Sequence, residues 1–454
     1  MNRKAQKSRQ LELPQESRGE APRVERSVQR TSAVVDEQDP AMDSLMERIV
    51  ERSNAQRAWK RVKRNGGSPG IDGVTVEEGP AWLREHWPRI REELLAGTYQ
   101  PQLVRRATIP KRGGGERHLG IPTVVDRLIQ QAVLQVLQPD IDPTFSEHSY
   151  GFRPRRGAHG AIAEAQRHVQ DGKTWVVDVD LEKFFDRVNH DVLMGRLARR
   201  ISDERVLRLC RRYLEAGVLA DGVALERHEG TPQGGPLSPL LANVLLDEVD
   251  KELEQRGHAF VRYADDLRVF MGSKKAGQRV MSSLVRFFGK LRLRVNESKS
   301  AVDRAWNRSF LGFSFWVGRE RAIRTRISRE SIKAMKARVR QLTSRQCGRS
   351  MEEVASELRA YLLGWRGYYG RAQTPNVLRM LDKWIRHRLR AIQLKQWKRG
   401  KTVFRELIAR GLSRSAAAKV AGNTRRWWHN SAMAMHMALP NRYFHELGLP
   451  SLAP

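Results

Sequence analysis

The chain has 454 residues, 40% of them apolar, enough for two or three domains with sizeable cores. Its 83 Lys and Arg against 51 Asp and Glu leave a formal charge of +32, which points to a polyanion, above all nucleic acid, rather than to a small neutral substrate. Two cysteines, Cys210 and Cys347, are too few for a disulfide framework or a Cys-rich zinc site. With no secretory leader and no apolar run near the roughly 18 residues of a membrane span, a soluble intracellular protein without membrane contact is expected.

Residues 1–40 contain no aromatic residue and mix both charge signs, so they cannot bury enough surface to offset ordering entropy and read as a disordered tail. Residues 41–90 form a helical extension (LMERIVERSNAQRAWKRVKRN) broken by the turn-forming GGSPGIDG at 66–73. Across 91–318, short Val-, Ile- and Phe-rich runs (TWVVDVDL, HAFVRYADDLRVFM, FLGFSFWV) alternate with stretches of helical period such as VVDRLIQQAVLQVLQ, the pattern of an α+β sheet flanked by helices. From about 325 the strand signal vanishes. Residues 321–400 carry 21 Lys and Arg but 5 Asp and Glu, so 319–405 reads as a separate basic helical domain. A C-terminal helical region, 406–454, follows, with Met433, Met435 and Met437 as packing residues.

The sharpest chemical signal is Tyr263-Ala264-Asp265-Asp266, two adjacent carboxylates between two apolar β runs, hence at a hairpin tip. Apolar flanks that hold both acids rigidly are costly unless a cation neutralises them. A second acidic strand, VVDVDL at 176–181, places Asp178 and Asp180 on one face, and either can join the pair. Oxygen-only carboxylate clusters suit magnesium, and a two-metal site suits phosphoryl transfer to a 3′-hydroxyl.

These residues resemble reverse transcriptases. YADD is similar to their catalytic box, and DVDLEKFFDRVNH to their first catalytic motif, whose spacing selects Asp180 with Phe185 five positions on as the steric gate against ribonucleotides. IPKRGGGERHLGIP (109–122) resembles the fingers hairpin, in which Lys111 and Arg117 would grip the triphosphate. TPQGGPLSPLLANVLLDEVD (231–250) is similar to the motif whose Gln233 and glycines approach nucleotide and template, LRLRVNESKS supplies Lys299 near the triphosphate, and Phe310, Leu311 and Gly312 look like the primer grip. The implied fold is a right hand: fingers and palm, then an α-helical thumb.

Two features resemble the group II intron-encoded branch in particular: GSPGIDGVTVEE, a candidate template-contacting loop, and ELRAYLLGWRGYYG (357–370), similar to the maturase or thumb domain. There Trp365, Tyr368 and Tyr369 interleave with Arg366 and Arg371, a grammar suited to stacking on unpaired bases while charge tracks phosphate. The resemblance covers about residues 55–450. It implies an RNA-directed DNA polymerase with two Mg2+ ions that helps its intron RNA splice and copies it during retrohoming. The implied partners are intron RNA, RNA template, DNA primer, deoxynucleoside triphosphates and target DNA, in a bacterial cytoplasm and nucleoid-associated when acting on DNA. A C-terminal HNH endonuclease with zinc-binding cysteine pairs is not expected. The other readings are a domesticated reverse transcriptase (defence, CRISPR-associated or diversity-generating) and a splicing-only RNA-binding maturase.

Overall fold

A computed structural model describes residues 44–110, 115–220, 223–344, 348–423, 426–432 and 434–453, and of Arg117 and Trp427 the backbone alone. The expected tail over 1–40, Lys111, Cys347 and Met433 lie outside the described residues.

The chain begins with α1 (Leu45–Val50), α2 (Arg52–Asn65) and α3 (Gly79–Leu95), then the hairpin β1 (Val104–Pro110) and β2 (Glu116–Ile121). Helix α4 (Val124–Ile141) follows, buried nearly all round because apolar residues cover almost its whole circumference; Thr123 caps it by accepting from the Asp126 amide at 3.1 Å. The 66–73 turn is tied to the start of α4. Arg127 donates to the carbonyls of Gly66 (3.2 Å) and Ser68 (2.9 Å), and a Cβ at Gly70 would lie 2.6 Å from the Thr123 Cα.

Next come α5 (Ala158–Gln170), β3 (Trp175–Val179), α6 (His190–Leu197), α7 (Glu204–Glu215), the short strands β4 (Val218–Ala220) and β5 (Val223–Leu225), and α8 (Ser238–Gln255). Then follow β6 (Ala259–Tyr263), β7 (Asp266–Met271), α9 (Lys274–Lys290), β8 (Ala301–Arg304), β9 (Phe313–Val317) and β10 (Ile323–Ile327). The central antiparallel sheet has the order β6-β7-β3-β8; a second runs β2-β1-β4-β5, and β9 pairs with β10 alone.

The two faces of the central sheet differ. Val177, Val179, Leu267, Val269 and Phe260 enter one core with α1, α4, α7, α8 and α9. On the other face Val176, Val261 and Phe270 enter a second core. By strand alternation Asp178, Arg268, Asp180 and Asp266 continue that second face.

The second core also holds the basic helices α10 (Arg329–Leu342), α11 (Met351–Tyr369), α12 (Pro375–Trp397), α13 (Gly400–Ala409) and α14 (Arg414–Ala421). Helix α11 opens on a capping box: Ser350 Oγ accepts from the Glu353 amide at 3.1 Å and the Glu353 carboxylate from the Ser350 amide at 2.7 Å. The region beyond 319 is therefore not a separately cored domain. Its apolar stripes and those of α5 and β3 bury one another, and β10 extends strand structure to Ile327, close to the point near 325 beyond which no strand was expected. The last residues return to α12, where buried Asp382 accepts from the amides of Leu452 (3.0 Å) and Ala453 (3.1 Å). Met435 is buried, as expected of a packing residue, whereas Met437 is exposed. No helix among the described residues is long and apolar enough to cross a membrane.

Candidate active site

In the β6–β7 hairpin Tyr263 pairs with Asp266, leaving Ala264 and Asp265 as a two-residue loop. Ala264 takes φ +57°, a conformation usual for Gly or Asn at such a tip. What holds alanine there lies behind it. Arg262, 1% exposed, donates through Nη1 to the Ala264 carbonyl and to Asn243 Oδ1, both at 2.9 Å, and through Nε to Asp250 at 2.8 Å. Asn243 in turn donates to the Gly151 carbonyl at 2.9 Å. Gly151 abuts the tip so closely that a Cβ there would sit 2.2 Å from the Ala264 nitrogen.

Strand β3 pairs with β7 from Trp175↔Met271 to Val179↔Leu267. The next step of that register sets Asp180 opposite Asp266, on neighbouring strands about 5 Å apart. Asp178 shares this face but is 5% exposed and clasped by two guanidiniums, with Arg308 Nε 2.5 Å from its carboxylate and Arg268 Nη1 in contact with it. Its charge is spent on them. Arg268 also reaches Asp266 (Nε to Oδ1, 3.0 Å), donates to the Ser309 carbonyl at 3.0 Å and lies over the Phe310 ring, so it joins the carboxylates to the expected primer grip. Burial lifts the Asp266 carboxyl to about 6, with Asp178 and Asp265 pushing the same way and Arg268 opposing. Such crowding of like charges is what a divalent cation relieves, and the donors are all oxygen, so the set fits Mg2+.

Lys299 Nζ lies 3.6 Å from Asp180, and the Asp180 amide donates to Ser300 Oγ at 3.0 Å. Gln233 lines a cavity of roughly 390 Å3 with Arg106, Gly120, Asp186 and Arg227. Gly234 is sterically required: a Cβ there, at φ +141°, would lie 2.4 Å from the Gly120 carbonyl oxygen, whereas one at Gly235 would meet, at 2.3 Å, only the movable end of the Gln130 side chain. Phe185 is partly exposed, edge-on to Phe184 at 5.1 Å between ring centroids, and its carbonyl accepts from the Thr231 amide at 2.7 Å. The Arg117 backbone lies in β2 opposite Ile109.

Phe310 and Phe313 exchange backbone hydrogen bonds of 2.8 and 2.9 Å around Leu311 (φ +50°) and Gly312 (φ +80°), a tight turn. The thumb aromatics meet this turn. Tyr368 donates to the Leu311 carbonyl at 2.8 Å, Tyr369 to Ser331 Oγ at 3.0 Å, and Trp365 is buried against Tyr369. Trp365 is buried, against the expectation that it stacks on bases; Tyr368 and Tyr369, both partly exposed, meet the palm at Leu311 and Phe313, and Arg366 and Arg371 are exposed. The spacing Leu358, Leu362, Trp365, Tyr369 is an apolar helical stripe that could have signalled this. Arg268 was also within reach of sequence reasoning, two residues from Asp266 on one strand face; Gly151, Asn243 and Asp250 offered no local signal.

Residues 109–315 match the family described as Reverse transcriptase (RNA-dependent DNA polymerase), and residues 332–410 match Group II intron, maturase-specific domain. Protein YkfC of Escherichia coli (strain K12) is 36% identical over 274 residues, 52% of this chain and 72% of its own length. Group II intron-encoded protein LtrA of Lactococcus lactis subsp. cremoris is 37% identical over 206 residues, 45% of this chain and 34% of LtrA. The putative COX1/OXI3 intron 1 protein of Saccharomyces cerevisiae is 27% identical over 317 residues, 57% of this chain and 38% of that protein. The chain thus spans most of YkfC but little more than a third of the two intron-encoded relatives.

Proposed function

The chain belongs to the group II intron-encoded reverse transcriptase and maturase family and is an RNA-directed DNA polymerase, and on that premise we propose that Asp180, Asp265 and Asp266 are its catalytic carboxylates. The observation that carries the assignment is the register: it sets Asp180 across from Asp266, whereas Asp178 is neutralised by Arg268 and Arg308.

Two Mg2+ ions held by these carboxylates would activate the primer 3′-hydroxyl and stabilise the leaving pyrophosphate. The chain's own residues do the rest. Arg268 fixes the Asp266 carboxylate in orientation and also holds the Ser309 carbonyl beside the primer-grip turn at Phe310, Leu311 and Gly312, so one guanidinium serves both. Lys299 lies at the Asp180 edge, where it meets the triphosphate together with Lys111 and Arg117 from the fingers. Gln233 and its glycines bring backbone against the nucleotide, and Phe185 excludes the ribose 2′-hydroxyl. Fingers and palm occupy 91–318 and the thumb 319–405. The exposed Arg366 and Arg371 bind phosphates of intron RNA during splicing, while template, primer and target DNA cross the charged half of the sheet. Action in the bacterial cytoplasm, at the nucleoid when DNA is the substrate, fits this role.

Primer extension on an RNA template with deoxynucleotides and Mg2+ tests the assignment. Wild type extends, while Asp265→Asn and Asp266→Asn do not and still bind intron RNA. Extension by either variant near the wild-type rate overturns the assignment, and extension by none, wild type included, replaces it with a splicing-only protein.

A further inference from the structure

We propose that His148, Glu164 and His168 form a second metal site, for a divalent transition ion with zinc as the best match, made by residues other than the three aspartates. Helix α5 places Glu164 and His168 four residues apart, on one face. The third donor comes from the segment after α4. There the His148 carbonyl accepts from the Arg262 amide and the Tyr150 amide donates to the Arg262 carbonyl, both at 2.9 Å, so residues 148–150 lie beside β6 like an added strand.

The donor atoms of His148, Glu164 and His168 all lie within 4.8 Å of one another. Glu164 Oε1 stands between the rings, 2.5 Å from His148 Nδ1 and 3.7 Å from His168 Nε2, and its other oxygen accepts from the Tyr150 hydroxyl at 2.5 Å. The His168 Nε2 is buried and has no hydrogen bond. A buried ring nitrogen aimed at a carboxylate oxygen, yet too far from it to bond, is what a metal ligand without its ion looks like.

Zinc at about 2.0–2.1 Å from each donor separates tetrahedral ligands by about 3.3 Å. The His168–Glu164 gap is close to that already. The His148 ring must back away from Glu164 by less than about 1 Å; its side chain is 35% exposed, which leaves the ion a way in. Two imidazoles with one carboxylate select zinc over magnesium and leave a fourth position for water. Tyr150 orients the carboxylate as a hydrogen-bonding neighbour commonly does at zinc sites. An ion here ties α5 to the segment ending in Gly151, which braces the catalytic hairpin at Ala264. Its role is structural: it stiffens the support of the tip that carries Asp265.

The test uses the full chain, freed of metal by chelator, with zinc titrated by calorimetry and Co2+ as an absorbing probe. Wild type should take up one tight equivalent, show a visible cobalt band and melt at higher temperature with zinc. His168→Gln and His148→Gln should weaken binding at least tenfold and lose the band, and Tyr150→Phe should weaken it about 10- to 100-fold. Asp265→Asn should bind zinc as wild type does. If His168→Gln fails to fold by circular dichroism, the partly exposed His148→Gln decides alone. Equal zinc affinity in wild type and the folded histidine variants overturns the proposal. So does loss of the bound equivalent in Asp265→Asn, which would move the ion to the aspartates.

Discussion

Gly151→Ala adds one methyl group to a residue outside the three proposed catalytic carboxylates, and the structure sets the size of its effect. The new Cβ would meet the Ala264 nitrogen at 2.2 Å, the Tyr263 carbonyl carbon at 2.9 Å and the Ala264 Cα at 3.0 Å, all backbone atoms of the hairpin tip. Gly151 is not among the residues with positive φ, so alanine suits its own backbone and the strain falls on the contact. Ordinary contact requires the tip to withdraw by about 1 Å, and a displacement of that size at reacting groups costs on the order of 100-fold in rate. Overpacking of this kind costs stability by about 1–3 kcal/mol, which leaves a chain of this length folded. Single-turnover primer extension should therefore fall about 100-fold while intron-RNA affinity and circular dichroism stay those of wild type. Gly195→Ala, in α6 with nothing within 4 Å of its added methyl, is the control and should extend normally. Extension by folded Gly151→Ala within about threefold of wild type would show that the tip is not positioned by this contact.

Other consequences are as direct. Arg262→Met strands the buried Asp250 carboxylate and should lower unfolding free energy by about 3–5 kcal/mol in urea titration; a loss under about 1 kcal/mol would mean that water replaces the guanidinium. Burial holds the His190 imidazole below its ordinary pKa, with Nε2 donating to the Gly230 carbonyl at 2.7 Å. The unfolded chain therefore takes up the proton first, and this group's contribution, present above about pH 6.5, is lost as pH falls through the lowered folded value. Melting temperature should drop from pH 7.5 to pH 5, and His190→Gln should flatten that slope. Phe185→Val should admit ribonucleotides at least tenfold more readily, read as alkali-sensitive product; unchanged discrimination would leave Phe185 a packing residue. Intron-RNA affinity resting on a charge of +32 should weaken steeply between low and physiological salt in filter binding, and a flat profile would refute an electrostatic basis.

The sequence marks those elements whose signal is local. Short Val-, Ile- and Phe-rich runs announce β3, β6, β7 and β9, and the apolar flanks of Asp265-Asp266 announce a hairpin. The choice between Asp178 and Asp180 is invisible to alternation, because both face one way; it needs Arg308, 130 residues away, and Arg268 across the sheet. The thumb aromatics show the opposite failure. Their mixture with arginine suggests base stacking, yet helical period already puts Trp365 in line with Leu358 and Leu362, and it is buried with them. Contacts such as Gly151 on Ala264 or Ala453 on Asp382 leave no trace in neighbouring residues, since each joins parts of the chain that only the finished fold brings together.

The division of the central sheet into a largely apolar face and a half-charged one has a bearing on how such a protein drifts. Substitutions at Val177, Val179 or Val269 subtract volume from a core and should remove every activity at once, through loss of the folded chain. Substitutions at Asp180 or Asp266, the proposed catalytic carboxylates, touch a surface on which little packing depends, so they should silence synthesis and spare the scaffold. A lineage no longer selected to copy nucleic acid can therefore shed its polymerase by single steps without passing through an unstable ancestor. The genetic signature would be a population in which the apolar face stays constant while the acidic positions wander.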